Sequence, residues 1–429
     1  MFDLIVRNAN LPDGRSGFDI AVQNGRIADI APKIEGKTQT EIDATDHLVT
    51  PPFVDPHFHM DATLSLGLPR MNRSGTLLEG IALWGELKPL LTREALVERA
   101  LRYCDLAVSQ GLLSIRSHVD ISEPRLLTAE AMLEVREKVA PYIKLQLVAF
   151  PQDGYYRSPG AVKLLERSLD MGLDIVGGIP HFERTMEDGA ASLEALCRIA
   201  AERGLPVDIH CDETDDPMSR HIETLAAQTM RFGLQGRVTG SHLTSMHSMD
   251  NYYVSKLIPL IAEAQINAVP NPLINIMLQG RHDTYPKRRG MTRVPELMAA
   301  GINVAFGHDC VMDPWYSMGS GDMLEVGHMA VHVAQMASVE AKKQVFAAIT
   351  VNSAKVMGLE GYGLEKGCNA DFVVLQARDP QEALRLKANR LAVIKGGKII
   401  AETAPRVTQL KLAGRPQTVN SADYAPLNT

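Results

Sequence analysis

The sequence predicts an α/β protein: a (β/α)8 barrel of the TIM type joined to a small β-sandwich-like domain. Residues 51–359 alternate short apolar runs with helical patterns, which is typical of repeated βα units. Residues 1–50 and 360–429 instead contain short strand-like runs joined by tight turns. Neither terminal stretch is long enough to bury a core alone. We therefore predict that both termini build one small β domain beside a barrel formed by residues 51–359.

In the terminal segments, strand-like runs flank strong turn signals. Residues 18–22 and 26–30 surround the pair Asn24-Gly25, which favours a tight hairpin turn. Near the other end, apolar runs at 370–375 and 390–394 show the same character.

The middle of the chain contains eight apolar runs of strand length. They cover residues 48–54, 112–116, 145–150, 174–179, 206–210, 238–242, 266–269 and 303–307. Glycines precede several of these runs, as expected where a helix ends before the next strand (Gly111, Gly172, Gly204 and Gly301). A doubly wound open sheet is the alternative, but no G-x-G-x-x-G motif follows an early strand to support it.

Ionisable side chains collect where the predicted barrel strands end. His57 and His59 stand two apart at the end of the first strand, so their side chains point to the same side. His210, His242 and Asp309 end three other strands. Because catalytic groups of such barrels sit at the C-terminal strand ends, this pattern predicts a metal site. We assign His57, His59, His210 and Asp309 as its ligands, with one position left for water.

A single divalent ion is expected at this site. Barrels that hold two metals usually need a bridging acid, often a carboxylated lysine after the fourth strand, and residues 177–183 contain no lysine. Nitrogen and oxygen ligands suit zinc or ferrous iron, and the sequence does not separate the two.

Composition excludes several classes of function. The net charge of −7 argues against a nucleic-acid-binding surface, which needs clustered positive charge. No apolar run reaches the length of a membrane span. The cysteines are odd in number and form no C-x-x-C pair, which predicts a reduced, cytoplasmic protein (Cys104, Cys197, Cys211, Cys310 and Cys368).

Several motifs resemble those of the amidohydrolase superfamily and, within it, the bacterial cytosine deaminases. They are FPQDG (150–154), PHFE (180–183), HCDE (210–213), DTYPKRRG (283–290) and DPWY (313–316). The resemblance covers nearly the whole chain and implies the same four metal ligands. It also implies that Glu213 and His242 form the proton-transfer pair and that Gln152 recognises the pyrimidine edge. Leu77 and Trp315 would be pocket walls, and the enzyme would be a homo-oligomer acting on a small pyrimidine base.

The residue types fit hydrolytic deamination at C4 of such a ring. A divalent metal makes water a nucleophile at neutral pH. C4 becomes electrophilic only as N3 is protonated, and a carboxylic acid of raised pKa such as Glu213 suits that step. Either His242 or Asp309 could be the first base. Gln152 offers both a donor and an acceptor to a 2-oxo-pyrimidine, although a loop amide that caps backbone is the alternative.

One residue departs from the family pattern. Cytosine deaminases of this type usually have a second aspartate after the metal aspartate, whereas Asp309 is followed here by Cys310. A smaller, uncharged side chain near the C4–C5 edge leaves room for a C5 substituent. We therefore predict that the enzyme accepts 5-methylcytosine, giving thymine, as well as or better than cytosine. Neutral drift at this position is the alternative.

Other functions are compatible with parts of the same pattern. A deaminase of another aminated ring (a pterin, a triazine or a purine) would keep the same catalytic set. A cyclic-amide hydrolase is disfavoured by the missing lysine, and a non-enzymatic scaffold by the complete ligand set.

Other features of the sequence allow either a role at the site or a purely structural role. The paired residues His118 with Asp120 and His181 with Glu183 could orient the ligands or could simply be buried polar groups. The basic loop at 281–289 is expected to be structural or to contact another subunit. Residues 62–91 are predicted to cover the pocket as a lid.

Overall fold

The computed structural model describes residues 1–420; residues 421–429, the end of the predicted domain segment 360–429, lie outside the described residues. Its strands are β1 (Phe2–Ala9), β2 (Phe18–Gln23), β3 (Arg26–Ala31), β4 (Thr38–Asp43), β5 (Leu48–Thr50), β6 (Phe53–Phe58), β7 (Leu112–Asp120), β8 (Lys144–Phe150), β9 (Ile175–Gly178), β10 (Val207–Cys211), β11 (Val238–His242), β12 (Asn267–Val269), β13 (Phe372–Leu375), β14 (Arg390–Lys395), β15 (Lys398–Glu402), β16 (Thr408–Gln409) and β17 (Thr418–Val419).

Most of the helices connect the barrel strands. They are α1 (Leu77–Leu87), α2 (Arg93–Ser109), α3 (Leu127–Val139), α4 (Ala161–Met171), α5 (Met186–Arg203), α6 (His221–Arg231), α7 (Asn251–Glu263), α8 (Pro272–Leu278), α9 (Val294–Ala299), α10 (Met323–Val333), α11 (Val339–Ala348), α12 (Val351–Val356) and α13 (Pro380–Leu386). As the sequence predicted, Gly172 and Gly204 end α4 and α5 in left-handed conformations, with φ of 110° and 68°.

A parallel sheet of seven strands, in the order β6 to β12, forms the barrel wall. The eighth segment, residues 303–309, closes the barrel without becoming a regular strand, and we call it the closing segment. Val304 bridges Ala268 of β12, and Asp309 bridges Phe58 of β6. These contacts replace the strand predicted at 303–307, because this segment pairs with each neighbour through an isolated bridge only. The (β/α)8 prediction is confirmed, with this one irregular member.

The terminal segments form two four-stranded sheets that share a core. One sheet has the order β3-β2-β1-β4, and the other has the order β15-β14-β13-β5. Apolar side chains from both sheets pack together between them, which gives the predicted sandwich (Leu4, Val6, Ile20, Val22, Val49, Phe372, Val374 and Ile394). The domain boundaries at residues 50/51 and 359/360 stay a prediction.

The barrel strands are almost wholly buried, as expected for parallel strands covered by helices. Their C-terminal ends meet at one rim, where the loops after the strands converge. Within residues 1–420, no helix combines the length and apolar character needed to cross a bilayer.

Candidate active site

Three parts of the barrel rim bring the four predicted ligands together. His57 and His59 come from the end of β6, His210 from β10 and Asp309 from the closing segment. One ligand atom from each lies within 4.8 Å of those of the other three. Backbone hydrogen bonds hold the end of β6 and the closing segment in register. The N–H of Asp309 donates to His57 O, and the N–H of His59 donates to Asp309 O, both at 2.9 Å.

The arrangement of donor atoms fits a divalent cation. His59 Nε2 and His210 Nε2 are 3.0 Å apart, and Asp309 Oδ1 lies 3.4 Å from Nε2 of both His57 and His59. Such spacings are expected of atoms that each lie about 2 Å from one shared ion. His57 Nε2 is buried and has no hydrogen-bond partner among the described residues. An unpartnered buried nitrogen is costly unless it has a ligand, so this atom supports metal binding.

The protonation states also suit metal ligation. Burial lowers the pKa of His59 to about 4 and holds the pKa of His210 well below its usual value, so both imidazoles are neutral. Burial pushes the pKa of Asp309 upward, but attraction to His57, and to His242 and His59, keeps that pKa below its usual value. Neutral imidazoles and an ionised carboxylate are the forms that bind metals.

Glu213 and His242 lie directly beside the ligand cluster. His242 Nδ1 is 3.5 Å from Glu213 Oε1, and His242 Nε2 is 3.8 Å from Asp309 Oδ2. Burial, with repulsion from Asp309, raises the pKa of Glu213 well above its usual value. Burial likewise lowers the pKa of His242 far below its usual value. The site therefore places a protonated carboxylic acid and a neutral imidazole next to the metal ligands.

One cavity of about 580 Å³ opens onto these groups. The sequence-predicted substrate contacts all line it (Gln152, Cys310, Trp315 and Leu77). Gln152 follows β8, and Trp315 belongs to the loop after the closing segment. In that loop, the buried carboxylate of Asp313 accepts hydrogen bonds from the backbone N–H groups of Trp315 and Tyr316, both at 2.9 Å. The structure thus brings together every predicted site residue, whereas their roles stay proposals.

The predicted lid segment contains helix α1, which covers one side of the cavity. Its residues Leu77 and Ile81 line the cavity wall. Gly80 faces Trp315 so closely that a Cβ there would lie 2.4 Å from the indole Cδ1. The helix is held to the barrel by Trp84 Nε1, which donates to Asp120 Oδ2 at 2.7 Å.

A second layer of polar groups surrounds the ligands. His118 is fully buried between His57 and His210, with ring centroids 4.1 and 4.5 Å away. Its neighbour Asp208 could complete a second cation-binding group with His57 and His118. However, Asp208 already forms a buried ion pair with Arg116 at 2.9 Å, so this group is poorly suited to a second cation.

The remaining candidate residues have largely structural contacts. Glu183 accepts hydrogen bonds from the backbone N–H groups of residues 155–157, while His181 lines the cavity. In the basic loop, Arg288 pairs with Asp283 at 2.6 Å, and Arg281 donates to Gly75 O at 2.8 Å, which links this loop to the lid.

Two amides that no sequence motif indicates contact His242. Asn275 Nδ2 lies 2.9 Å from His242 Nδ1, and Asn271 Nδ2 lies 3.3 Å from the same atom. Both belong to α8 or its N-terminus, directly after β12. The only signal was their position after a predicted barrel strand, where catalytic groups are expected.

Comparison with known proteins gives a consistent result. The model of the "Amidohydrolase family" matches residues 40–401. A solved structure of 5-methylcytosine deaminase from Klebsiella pneumoniae, liganded with phosphonocytosine, superposes with a TM-score of 0.91 and 41% identity. The similarity covers 93% of this chain and 98% of that one.

Two curated relatives act on other compounds, as their names state. N-isopropylammelide isopropyl amidohydrolase from Pseudomonas sp. (strain ADP) is 33% identical, with 94% of this chain and 98% of the relative covered. Pterin deaminase from Rhizobium rhizogenes (strain K84 / ATCC BAA-868) is 30% identical, and the match covers 93% of this chain and 91% of the relative.

Proposed function

The chain belongs to the amidohydrolase family, and on that footing we propose that it is a metal-dependent hydrolytic deaminase of free aminopyrimidine bases. It converts cytosine to uracil and 5-methylcytosine to thymine, with release of ammonia. One observation carries this proposal: the acid Glu213, kept protonated by burial, faces the four-ligand cluster inside a cavity that Gln152 and Trp315 also line. The 41% identity to a 5-methylcytosine deaminase supports it.

The proposed cofactor is one divalent ion per chain, zinc or ferrous iron, held by His57, His59, His210 and Asp309. When bound there, such an ion supplies a water nucleophile at neutral pH. The unpartnered Nε2 of His57 and the neutral state of His59 support this assignment.

The protein residues then move protons around the reacting ring. The carboxylic acid of Glu213 gives its proton to N3 while the water oxygen bonds to C4. Asp309, which lies beside His242, takes up the first proton of the attacking water. The C4–N4 bond then breaks and the amino group leaves as ammonia with the proton held by Asp309. The second proton of the water passes from the C4 hydroxyl to Glu213, which restores the acid, and C4 keeps the oxygen as a carbonyl.

Substrate recognition is assigned to the cavity walls. The amide of Gln152 donates to one ring atom and accepts from another, which matches the mixed edge of a 2-oxo-pyrimidine. Trp315 and Leu77 provide apolar surface for the ring.

Cys310 is proposed to admit the 5-methyl group. Its side chain lines the cavity next to the ligand Asp309, with Sγ 3.7 Å from Asp309 Oδ1. A Cys310→Asp variant adds a charge that must be desolvated beside the methyl group. One methyl group in a pocket is worth about 1–3 kcal/mol, so kcat/KM for 5-methylcytosine relative to cytosine should fall about 10-fold or more. An unchanged ratio would remove Cys310 from this role.

The proposed reaction is tested by ammonia release from a panel of free bases. Cytosine and 5-methylcytosine should be turned over by the metal-loaded enzyme, and the products identified as uracil and thymine. The panel also includes a pterin, assayed by ammonia release, and an alkylamino-triazine, assayed by release of the alkylamine. Their deamination is the second candidate function, because a cavity of about 580 Å³ exceeds what one pyrimidine needs. If these compounds are turned over and cytosine is not, the second candidate function replaces the first.

We also propose that the enzyme is a homo-oligomer located in the cytoplasm. Its five cysteines are free thiols, which suits a reducing compartment. Light scattering coupled to size-exclusion chromatography measures the subunit number, and a monomer of 46.9 kDa would contradict the oligomer.

A further inference from the structure

The side chain of Asn275 meets the imidazole of His242 deep inside the rim. Asn275 Nδ2 lies 2.9 Å from His242 Nδ1, within hydrogen-bond distance. Asn275 is 0% exposed and His242 is 1% exposed, so water does not compete for this contact. One atom of this pair must donate and the other accept, so the orientation of the Asn275 amide and the tautomer of His242 are linked.

The orientation of the Asn275 amide follows from its other end. The backbone N–H of Asn271 donates to Asn275 Oδ1 at 2.9 Å. A backbone N–H can only donate, so the atom facing it must be the amide oxygen rather than the NH2 group. The NH2 group of Asn275 therefore faces His242. Because an amide NH2 can only donate, His242 Nδ1 must accept with its lone pair.

We propose that Asn275 is a positioning residue that holds His242 in the tautomer protonated at Nε2. The catalytic effect of this tautomer rests on the proposed deaminase function, whereas the tautomer itself follows from the hydrogen bonds alone. Nε2 is the ring nitrogen that faces Asp309, 3.8 Å from Oδ2. His242 consequently presents an N–H to the place where water reacts, and its Nε2 cannot accept the first proton. That step is left to Asp309.

The other groups around the ring do not select the opposite tautomer. Asn271 Nδ2 is nearly equidistant from the two ring nitrogens, at 3.3 and 3.4 Å, so it does not discriminate between them. Glu213 Oε1 lies 3.5 Å from Nδ1, and burial keeps this acid protonated. A protonated carboxyl group is a donor, which also suits a lone pair on Nδ1.

The first test reads the tautomer directly and needs no substrate. Zinc-loaded enzyme labelled with 15N-histidine is measured by two-bond 1H–15N NMR, and the His242 signals are identified by their loss in a His242→Gln variant. We expect a protonated Nε2 and an unprotonated Nδ1. A proton on Nδ1 of the wild-type enzyme overturns the proposal, whatever the activity measurements show.

The second test exchanges only the donor. An Asn275→Asp variant keeps the oxygen that accepts from Asn271 N–H but replaces the NH2 group with an acceptor. His242 should then carry its proton on Nδ1. For cytosine, kcat should fall about 100-fold or more while KM changes little, because a misplaced imidazole tautomer is costly in catalysis. An Asn251→Asp variant, changed at an exposed position at the start of α7, controls for the added charge and should retain full activity.

The outcomes separate this inference from the proposed function. A wild-type enzyme with the expected tautomer that does not deaminate any base refutes the function and leaves the role of Asn275 standing. An Asn275→Asp variant with unchanged tautomer and unchanged kcat refutes the role of Asn275. If that variant does not fold, the wild-type NMR measurement alone decides.

Discussion

Burial determines what single side chains in this cavity can do. Glu213 is 7% exposed and stands near the negative charge of Asp309, so its ionised form is disfavoured twice. His242 has 1% of its surface exposed, and burial lowers its pKa far below the usual value even though attraction to Asp309 favours its charged form. The two groups therefore face each other as acid and neutral imidazole at neutral pH. The same pair in water would be an ionised carboxylate beside a partly protonated histidine.

Replacing Glu213 with glutamine should abolish proton delivery while keeping the shape of the site. We expect kcat for cytosine to fall by about 10²–10⁴-fold, the usual contribution of a positioned acid. Metal content, measured by plasma mass spectrometry, should not change, because Glu213 is not one of the four ligands. A Glu202→Gln variant, at an exposed position on α5, should keep its activity. Full activity of Glu213→Gln would exclude Glu213 as the proton donor.

Asp313, which supports the loop that contains Trp315, should make the stability of the folded protein depend on pH. Burial raises its pKa to about 7, although hydrogen bonds from the loop oppose this shift. An acid whose pKa is higher in the folded than in the unfolded protein holds its proton more tightly when folded. The free energy of unfolding must therefore decrease as pH rises from about 4 to about 7.

An Asp313→Asn variant should remove this dependence, because the amide oxygen still accepts from the loop and no charge forms. Between pH 5 and pH 8, the wild-type protein should lose about 2–3 kcal/mol of unfolding free energy relative to the variant. Urea denaturation at both pH values measures the difference. An Asp105→Asn variant on the exposed side of α2 serves as the comparison and should follow the wild-type curve. A pH-independent difference between Asp313→Asn and wild type would disprove the assignment.

Helix α1 provides a matched pair of glycines for testing the lid. A Cβ at Gly80 would lie 2.4 Å from Trp315 Cδ1, whereas a Cβ at Gly85 would have no heavy atom within 4 Å. Gly80→Ala must displace Trp315 or the helix, so we expect a loss of about 1–3 kcal/mol in stability and a raised KM. Gly85→Ala should stabilise the protein by up to about 1 kcal/mol and leave KM unchanged. Thermal melts and steady-state kinetics check both variants, and equal behaviour of the two would contradict the packing of α1 on Trp315.

Elements with a strong local signal were predictable, and those that depend on distant partners were not. The apolar runs ending at His210 and His242 carry the strand pattern in their own residues, and they became β10 and β11. The pairing of β5 with β13 joins residues more than 300 positions apart, so no local pattern reveals it. Likewise, the parallel pairing of β1 with β4 is a choice among several possible partners.

At the scale of the whole molecule, some residues of the candidate site could likewise be predicted from the sequence and others could not. His57, His59, His210 and Asp309 could be grouped from the sequence because a parallel barrel brings all its strand ends to one rim. The contact of Asn275 with His242 could not, since it depends on how α8 turns after β12. An amide also has no characteristic spacing that signals its role. Ligands are thus predictable from topology, whereas the groups that orient them require coordinates.

Because the ligands come from β6, β10 and the closing segment, a bound ion should tie the barrel rim together. Chelation should abolish deamination and lower the Tm, since a ligand at a thousand times its Kd stabilises a folded protein by about 4 kcal/mol. Zinc or ferrous iron should restore both properties, and plasma mass spectrometry should find one ion per chain. A His57→Asn variant, in which one ligand is lost, should bind the ion weakly and show little change in Tm on chelation. Two ions per chain would instead support a binuclear site of the cyclic-amide hydrolase type. A wild-type Tm that does not respond to chelation would show that the ion does not join these strands.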